Sequence, residues 1–524
     1  LVSMKLQIDQ IKKYLKNGQH QQALFQAKNL FNQNPENITA IRTLGFCQML
    51  LSQDELSIQQ YLKVKENSPN DFDAINNLGV LYFRVENFGE AISHNQKAKE
   101  LNPKSYFPYI NMGMCLMKMR QFLEARTEYE KALEINNYDI NTNLYIQYME
   151  CLLANKDMVA LKNFYLKCQQ KYFDVDMFYF ISDIKDITEN ISIKSIEEKL
   201  DSLNLIKNRN EQVKFHSGIL FGLARIYEKK GEKNKAEEYF IEANEKISSI
   251  QRYNLLSEQK TITNIINNFT KIEKIELSNQ MKGDGLIFIT GMPRSGTTLT
   301  ESIISSQENV FSGGEMNIFN QKLLEFYKNE KFDIDTINEL SDDLEKKYKF
   351  LLGSQKFFID KLPKNYLHIG YLLKIFPASK VIHIQRDEWD NATSLFKQRY
   401  IKNVPFSSSF FKIAVQMANK NYMVDFWKKK LLPEMSNRLK IINYEDLVSK
   451  EHEKSQEIIN FCGIDGSYDS EKRKGHFSNT ASISQVTSGI HNKSVKNQQF
   501  LQYKEKFFDD LNNQSDYWAS QKNV

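Results

Sequence analysis

The sequence contains no run of about 18 apolar residues, the minimum for a membrane-spanning helix, and its opening stretch, LVSMKLQIDQIKKYLKNGQHQQ, is polar and helix-like instead of signal-like. These absences predict a soluble, cytoplasmic protein with no membrane partner. The first residue is Leu1 and not Met, which leaves room for an upstream segment. Cysteine is scarce and odd in number: Cys47, Cys115, Cys151, Cys168 and Cys462 stand far apart, without the close pairs of a zinc site or the even count of a disulfide framework. They read as small buried hydrophobes in a reducing compartment. The eight histidines show no metal-ligand spacing, and His383, inside an apolar run, reads as a packed core residue. Charge of one sign is also missing, since 70 Lys and Arg against 65 Asp and Glu leave a net charge of only +5. That balance does not call for nucleic acid as a partner.

What is present first is length and a period. A chain of 524 residues is too long for one core and implies two or three domains. Pro35, Pro69 and Pro103 lie 34 residues apart, as do Gly45, Gly79 and Gly113, and the pairs Ala91/Ala125 and Ala98/Ala132 keep the same interval. Thirty-four is the tetratricopeptide period. Each unit needs a small residue where its two helices cross, another where the next helix packs, and a proline to reset the chain. No proline occurs between Pro108 and Pro293, and apolar spacing near 3.6 continues the helices through the middle of the chain. Between Gly218 and Ile247 the pattern sharpens again, with Ala224, Tyr227, Ala236, Phe240 and Ala243 at tetratricopeptide positions, beyond a degenerate section at about 150–210.

A linker at Gln280–Gly285 (QMKGDG) then breaks the helical pattern, and an apolar, β-branched run, Leu286–Thr290, opens into GMPRSGTTL. Gly291 and Gly296 allow a sharp turn, and Thr297, Thr298 and Leu299 start a helix whose first amides point at the loop. Strand, loop and helix together make a nest for a phosphate-like anion. The spacing is almost that of a Walker A loop, but Thr297 stands where Lys would touch the β/γ-phosphates, and the cation is Arg294 inside the loop. This argues against ordinary ATP or GTP hydrolysis. Later strands are expected at Phe357–Asp360, Val381–Gln385 and Leu439–Asn443, giving a parallel α/β sheet with ligands at the strand C-terminal ends.

GMPRSGTTL resembles the 5′-phosphosulfate loop of sulfotransferases, and four later stretches agree with that family in order: SGGE (Ser312–Glu315), IDKLPKNYLHIG (Ile359–Gly370), KVIHIQRDEWDNATSLF (Lys380–Phe396) and TASISQV (Thr480–Val486). Over about residues 284–508 the pattern is similar to tyrosylprotein sulfotransferases and to bacterial sulfotransferases fused to tetratricopeptide repeats. The resemblance implies 3′-phosphoadenosine 5′-phosphosulfate as donor, adenosine 3′,5′-bisphosphate as product, and no metal. It implies that Pro293, Arg294, Ser295, Gly296, Thr297 and Thr298 grip the 5′-phosphosulfate, and that Arg386 and Ser394 hold the 3′-phosphate. Glu315 matches the family's general base, with a helix-start acid as the structural alternative. Lys361 matches the lysine that relieves charge on the transferring group, Ser482 the serine beside the leaving phosphate, and Lys496 a residue closing that loop over the donor, followed by Phe500 where the family has Trp. Tyr444, in NYEDLV, matches a donor-side stretch or serves structure. The tyrosylprotein enzymes carry Arg two residues after the base to meet acidic peptide, whereas this chain has Asn317.

The combined expectation is an α-helical tetratricopeptide-type solenoid followed by an α/β, P-loop-like sulfotransferase domain with a parallel sheet. The divisions are 1–150 for the repeats, 151–282 for further helical repeats with a tetratricopeptide-like unit at about 217–250, and 283–524 for the sulfotransferase domain. The expected reaction is in-line transfer of a sulfuryl group to a hydroxyl on a peptide tyrosine, a glycan or a small metabolite. The repeat groove holds a peptide or protein, or the repeats support the enzyme or mediate self-association into a homodimer. Two other readings remain, a repeat scaffold with an inactive nucleotide-binding domain and an atypical P-loop kinase.

Overall fold

The computed structural model describes residues 2–521 except 140, 172, 185–187, 189–190, 204–205, 207, 278–279, 402–403, 432–436 and 475–497. The chain divides into two compact units, Leu1–Met158 and Val159–Val524.

The first unit is a run of antiparallel helices, and its 34-residue period is visible in their starts. His20–Gln33, Asp54–Asn67, Phe88–Leu101 and Phe122–Ile135 alternate with Ile38–Leu50, Phe72–Arg84, Phe107–Lys118 and Thr142–Ala154. Pro35, Pro69 and Pro103 sit in the turns between consecutive pairs. Polar caps start the second set: Asn37 accepts from the amides of Thr39 and Ala40, Asp71 from Ala74 and Asn141 from Leu144. The small residues mark close crossings, as their spacing requires. A Cβ on Gly79 would lie 2.3 Å from Asn95 Oδ1, and one on Gly113 would lie 2.7 Å from Tyr129 Cε1. Ala91, Ala98, Ala125 and Ala132 are fully buried at the packing positions.

The second unit begins with more helices, among them Val175–Ile181, Arg209–Lys229, Lys233–Ser248 and Leu255–Ile272, and then forms a five-stranded parallel sheet. Its strands are β1 (Leu286–Gly291), β2 (Val310–Gly314), β3 (Phe357–Lys361), β4 (Lys380–Gln385) and β5 (Leu439–Asn443), in the order β2-β3-β1-β4-β5. β1 is central and buried along its whole length, which its unbroken apolar run permits. Ile287 and Ile289 face a core with Ile303, Ile359, Ile384 and Ile458. Phe288 turns to the other face, where it packs on Tyr348 and Phe376. The strand order reverses at β1, with β3 on one side and β4 on the other, so the C-terminal end of β1 opens on a crevice.

The structure adds an edge strand, β2, that the sequence pattern did not suggest. Val310–Gly314 is VFSGG, too short and too rich in glycine to read as a strand, and it is held by its register on β3. β3 also runs one residue further than expected, so Lys361 closes the strand opposite Ile289 instead of following it.

The helices that precede the sheet in this unit are fixed to it by buried polar contacts. Asn244 Nδ2 donates to Phe396 O at 2.7 Å, Arg225 Nη2 to Gln398 Oε1 at 2.8 Å, and Tyr371 OH to Ile265 O at 2.8 Å. Phe269 meets Trp427 edge-on at a centroid distance of 4.8 Å. The five cysteines are all buried and unbridged, and among the described residues no helix is long and apolar enough to cross a membrane.

Candidate active site

The loop after β1 is shaped by two residues in the left-handed region. Gly296 has φ +109°, and Arg294 has φ +68° despite its side chain. A non-glycine residue held there costs on the order of 1–3 kcal/mol, and such strain collects where a loop must be pre-shaped for a ligand. Gly296 tolerates no Cβ, which would come within 2.5 Å of the Tyr444 ring. The loop is pinned from the side by the strand and helix that follow Lys380. Asn391 Nδ2 donates to Pro293 O at 2.9 Å, Arg386 Nη1 to Arg294 O at 2.8 Å, and Arg294 Nε to Ser394 Oγ at 3.2 Å. The Arg386 guanidinium also lies 4.7 Å over the Tyr444 ring.

Thr297 and Thr298 open the helix Thr297–Ser305, whose N-cap, Gly296, supplies no side-chain bond. The Ser295 hydroxyl is buried with no hydrogen-bond partner among the described residues. Arg294 is buried and Arg386 half-buried, and desolvation pulls both guanidinium groups below the usual value. Taking two cations out of water beside one another favours an incoming anion. The orphaned hydroxyl, the glycine cradle and the paired guanidiniums therefore fit a phosphate or sulfate group at this loop.

Across the crevice, the ends of β2 and β3 carry a chain of charges. Lys361 is fully buried, and its Nζ lies 2.8 Å from Glu315 Oε1 and 3.6 Å from Glu301 Oε2. Glu301, in the helix after the loop, is buried and also accepts a hydrogen bond from Ser312. A fully buried ammonium needs such partners to stay charged. Glu315 is the outer member, with 47 % of its side chain exposed. The inner carboxylate thus holds Lys361 while the outer one reaches the crevice.

Arg294, Thr297, Thr298 and Glu315 line one side of a cavity of about 520 Å³. Its other walls come from Leu362 and Pro363 after β3, from Tyr400 and the Val404–Phe406 segment, and from Gln416. Burial raises the Tyr400 hydroxyl to about 12, against the opposing pull of Arg294.

Pro293, Arg294, Ser295, Gly296, Thr297, Thr298, Arg386, Ser394 and Tyr444 accordingly form one cluster at the end of β1, with Glu315 and Lys361 facing it across the crevice. Ser482 and Lys496 lie outside the described residues. Phe500 is buried among Phe396, Phe410 and Phe240 as an aromatic core residue. His383 is buried in β4 with Nδ1 2.9 Å from Thr290 Oγ1, and burial drives its pKa well down. Glu301, Asn391 and Tyr400 were not singled out from the sequence. Glu301 shares the buried side of its helix with Thr297, a signal that helical spacing carries. Asn391 and Tyr400 have no local signature, because their partners are about a hundred residues away in the chain.

This architecture is that of a phosphate-loop α/β domain in a chain that also carries helical repeats. Residues 287–469 are a sulfotransferase-family domain, matching the family described as "Sulfotransferase family", and residues 106–139 and 217–245 each match a tetratricopeptide repeat. An uncharacterized protein of Aquifex aeolicus (strain VF5) is 29% identical over 332 residues, 58% of this chain and 42% of that protein, so the match spans less than half of the relative's length. Among solved structures, Pseudomonas aeruginosa PilF aligns with 46% of this chain and 89% of its own at 15% identity and a TM-score of 0.30. A thermophilic tetratricopeptide protein of Thermus thermophilus aligns with 33% of this chain and 94% of its own at 14% identity and a TM-score of 0.30.

Proposed function

We propose that the protein transfers a sulfuryl group from 3′-phosphoadenosine 5′-phosphosulfate to the hydroxyl of an acceptor, in the cytoplasm and without a metal. The observation that carries this reading is the Lys361–Glu315 pair facing a pinned, arginine-bearing phosphate loop within a sulfotransferase-family domain. The donor, when bound, supplies an activated sulfuryl group on a good leaving phosphate.

The residues then have distinct tasks. Arg294, Ser295, Gly296, Thr297 and Thr298 hold the 5′ end through a charged fork, hydroxyls and backbone amides, with Pro293 fixing the turn. Arg386 and Ser394 take the 3′-phosphate, Tyr444 backs the loop and the Arg386 guanidinium, and Lys496 closes over the donor. Glu315 accepts the proton of the acceptor hydroxyl at its carboxylate oxygen, because a protonated alcohol or phenol is a poor nucleophile. Lys361, retained by Glu301 once Glu315 has taken that proton, carries positive charge to the transferring group, and Ser482 assists at the leaving oxygen. The segment 283–524 performs the chemistry, 151–282 supports it, and the repeats of 1–150 hold a peptide or protein, a peptide tyrosine acceptor or a second copy of the chain being the candidates for that groove.

Calorimetric titration with adenosine 3′,5′-bisphosphate, run beside ATP with magnesium, tests the reading. The expected result is binding of the bisphosphate and none of ATP. In Arg386→Ala the bisphosphate should weaken by about tenfold to a hundredfold, and adenosine 5′-phosphosulfate, which feels only the lost bond to the Arg294 carbonyl, by clearly less. Binding of ATP alone would overturn the proposal and favour a kinase.

A further inference from the structure

The cavity that meets the donor loop has the composition of an acceptor site, and among the described residues its lining is neutral. Its charged lining residues cancel, with Glu258 and Glu315 against Arg294 and Lys364. A surface for an acidic peptide would need an excess of cations. Beyond the loop, the walls are apolar at Leu362, Pro363, Val404 and Phe406, and polar without charge at Gln416 and Tyr366.

Gln416 is the informative member. It is 4% exposed, its Nε2 donates to Tyr366 OH at 2.8 Å, and its Oε1 has no hydrogen-bond partner among the described residues. Tyr366 is itself buried, so one end of the amide is committed and the other is not. A buried carbonyl left unpaired is costly, and a ligand hydroxyl or amide N–H reaching it restores the missing bond. Asn320, on the helix Ile318–Asn329, also lines the cavity and has a buried Oδ1 without a partner among the described residues. Two unsatisfied carbonyl acceptors in one neutral cavity ask for a ligand that donates.

Resting on the sulfuryl-transfer reading above, we propose that the acceptor is an uncharged hydroxyl compound with an apolar body. It carries, besides the hydroxyl to be sulfated, a second hydrogen-bond donor that is recognised by Gln416. The apolar body lies along Pro363, Val404 and Phe406 while the reacting hydroxyl faces Glu315. Tyr366 is a positioning residue that fixes the amide. A site built around a buried polar group discriminates strongly against the analogue that lacks its partner, and this is the specificity expected here.

The test uses the full chain, the phosphosulfate donor and three acceptors: N-acetyltyrosinamide, which is neutral with amide donors; p-cresol, the same phenol without them; and a tyrosine peptide flanked by glutamates. The expected order of kcat/KM places N-acetyltyrosinamide above p-cresol by at least about tenfold and above the acidic peptide. In Gln416→Met, which keeps side-chain volume, the ratio of the two neutral phenols should collapse toward one while the affinity for adenosine 3′,5′-bisphosphate is retained. Tyr366→Phe should reduce the ratio part of the way. Preference for the acidic peptide, transfer to none of the neutral acceptors despite bisphosphate binding, or an unchanged ratio in a bisphosphate-binding Gln416→Met would each overturn the proposal. Should Gln416→Met fail to bind the bisphosphate, the Tyr366→Phe ratio decides alone. Failure of the wild-type chain to bind the bisphosphate would instead sink the sulfuryl-transfer reading beneath it.

Discussion

In the proposed reaction a single carboxylate separates chemistry from binding. Glu315 is paired with Lys361 at 2.8 Å but is half exposed, whereas Glu301 is shut in behind the same lysine. Removing the outer carboxylate leaves the inner ion pair, so Lys361 remains a compensated cation and the loop is untouched. Glu315→Gln should therefore retain bisphosphate affinity and lose turnover by about 10²–10⁴-fold, the usual contribution of a positioned acid or base. Single-turnover transfer measured beside calorimetry checks this, and normal turnover would remove Glu315 as base. That Glu315 and Lys361 stand at the crevice could be read from the chain, because each sits in a short motif next to a strand end. For Glu301, helical spacing carries only its place on the buried side of the helix with Thr297; its partners Ser312 and Lys361 are brought to it by the pairing of β2 with β3. Arg294 was legible as a cation in a glycine loop, but its left-handed backbone was not, because arginine rarely adopts that conformation without tertiary restraint.

Elements were legible wherever a period or an unbroken apolar run repeated itself. The 34-residue spacing located the helix crossings of the first unit, and the glycine there has a steric reason. A side chain at Gly113 meets the Tyr129 ring, which is itself fully buried and cannot withdraw. Gly113→Val should cost about 1–3 kcal/mol, as overpacking does in a filled core. The expected outcome is a lower melting transition for the repeat unit by circular dichroism, with donor binding in the second unit preserved; an unchanged melting profile would mean that the crossing relaxes. The edge strand β2 escaped the same kind of reasoning, because a glycine-rich pentapeptide becomes a strand only through the neighbour that pairs with it. Local propensity has little to say about such a segment.

At the scale of the molecule, the helices from Val159 to Ile272 belong energetically with the sheet. Their contacts are of the kind that a folded core makes: Asn244 caps the Phe396 carbonyl, Arg225 and Arg399 bracket Tyr179, and Phe269 fills the space between Tyr371 and Trp427. Composition placed a break at the two glycines near 283, where the helical pattern stops, but a change of pattern along the chain does not report which surfaces are buried together. Cutting there would expose Phe240, Tyr371 and Trp427 and leave Arg399 without Asp176. Losing these aromatic contacts, each worth about 0.5–1.5 kcal/mol beyond the area it buries, together with that buried area and the hydrogen bonds beside it, removes a large share of the margin of about 5–15 kcal/mol by which a domain is stable. A fragment of residues 159–524 should therefore fold cooperatively and bind adenosine 3′,5′-bisphosphate as the full chain does, while 283–524 should show no cooperative melting transition and no binding. Calorimetry on the two fragments distinguishes them, and a well-folded, ligand-binding 283–524 would show that the preceding helices only decorate the sheet.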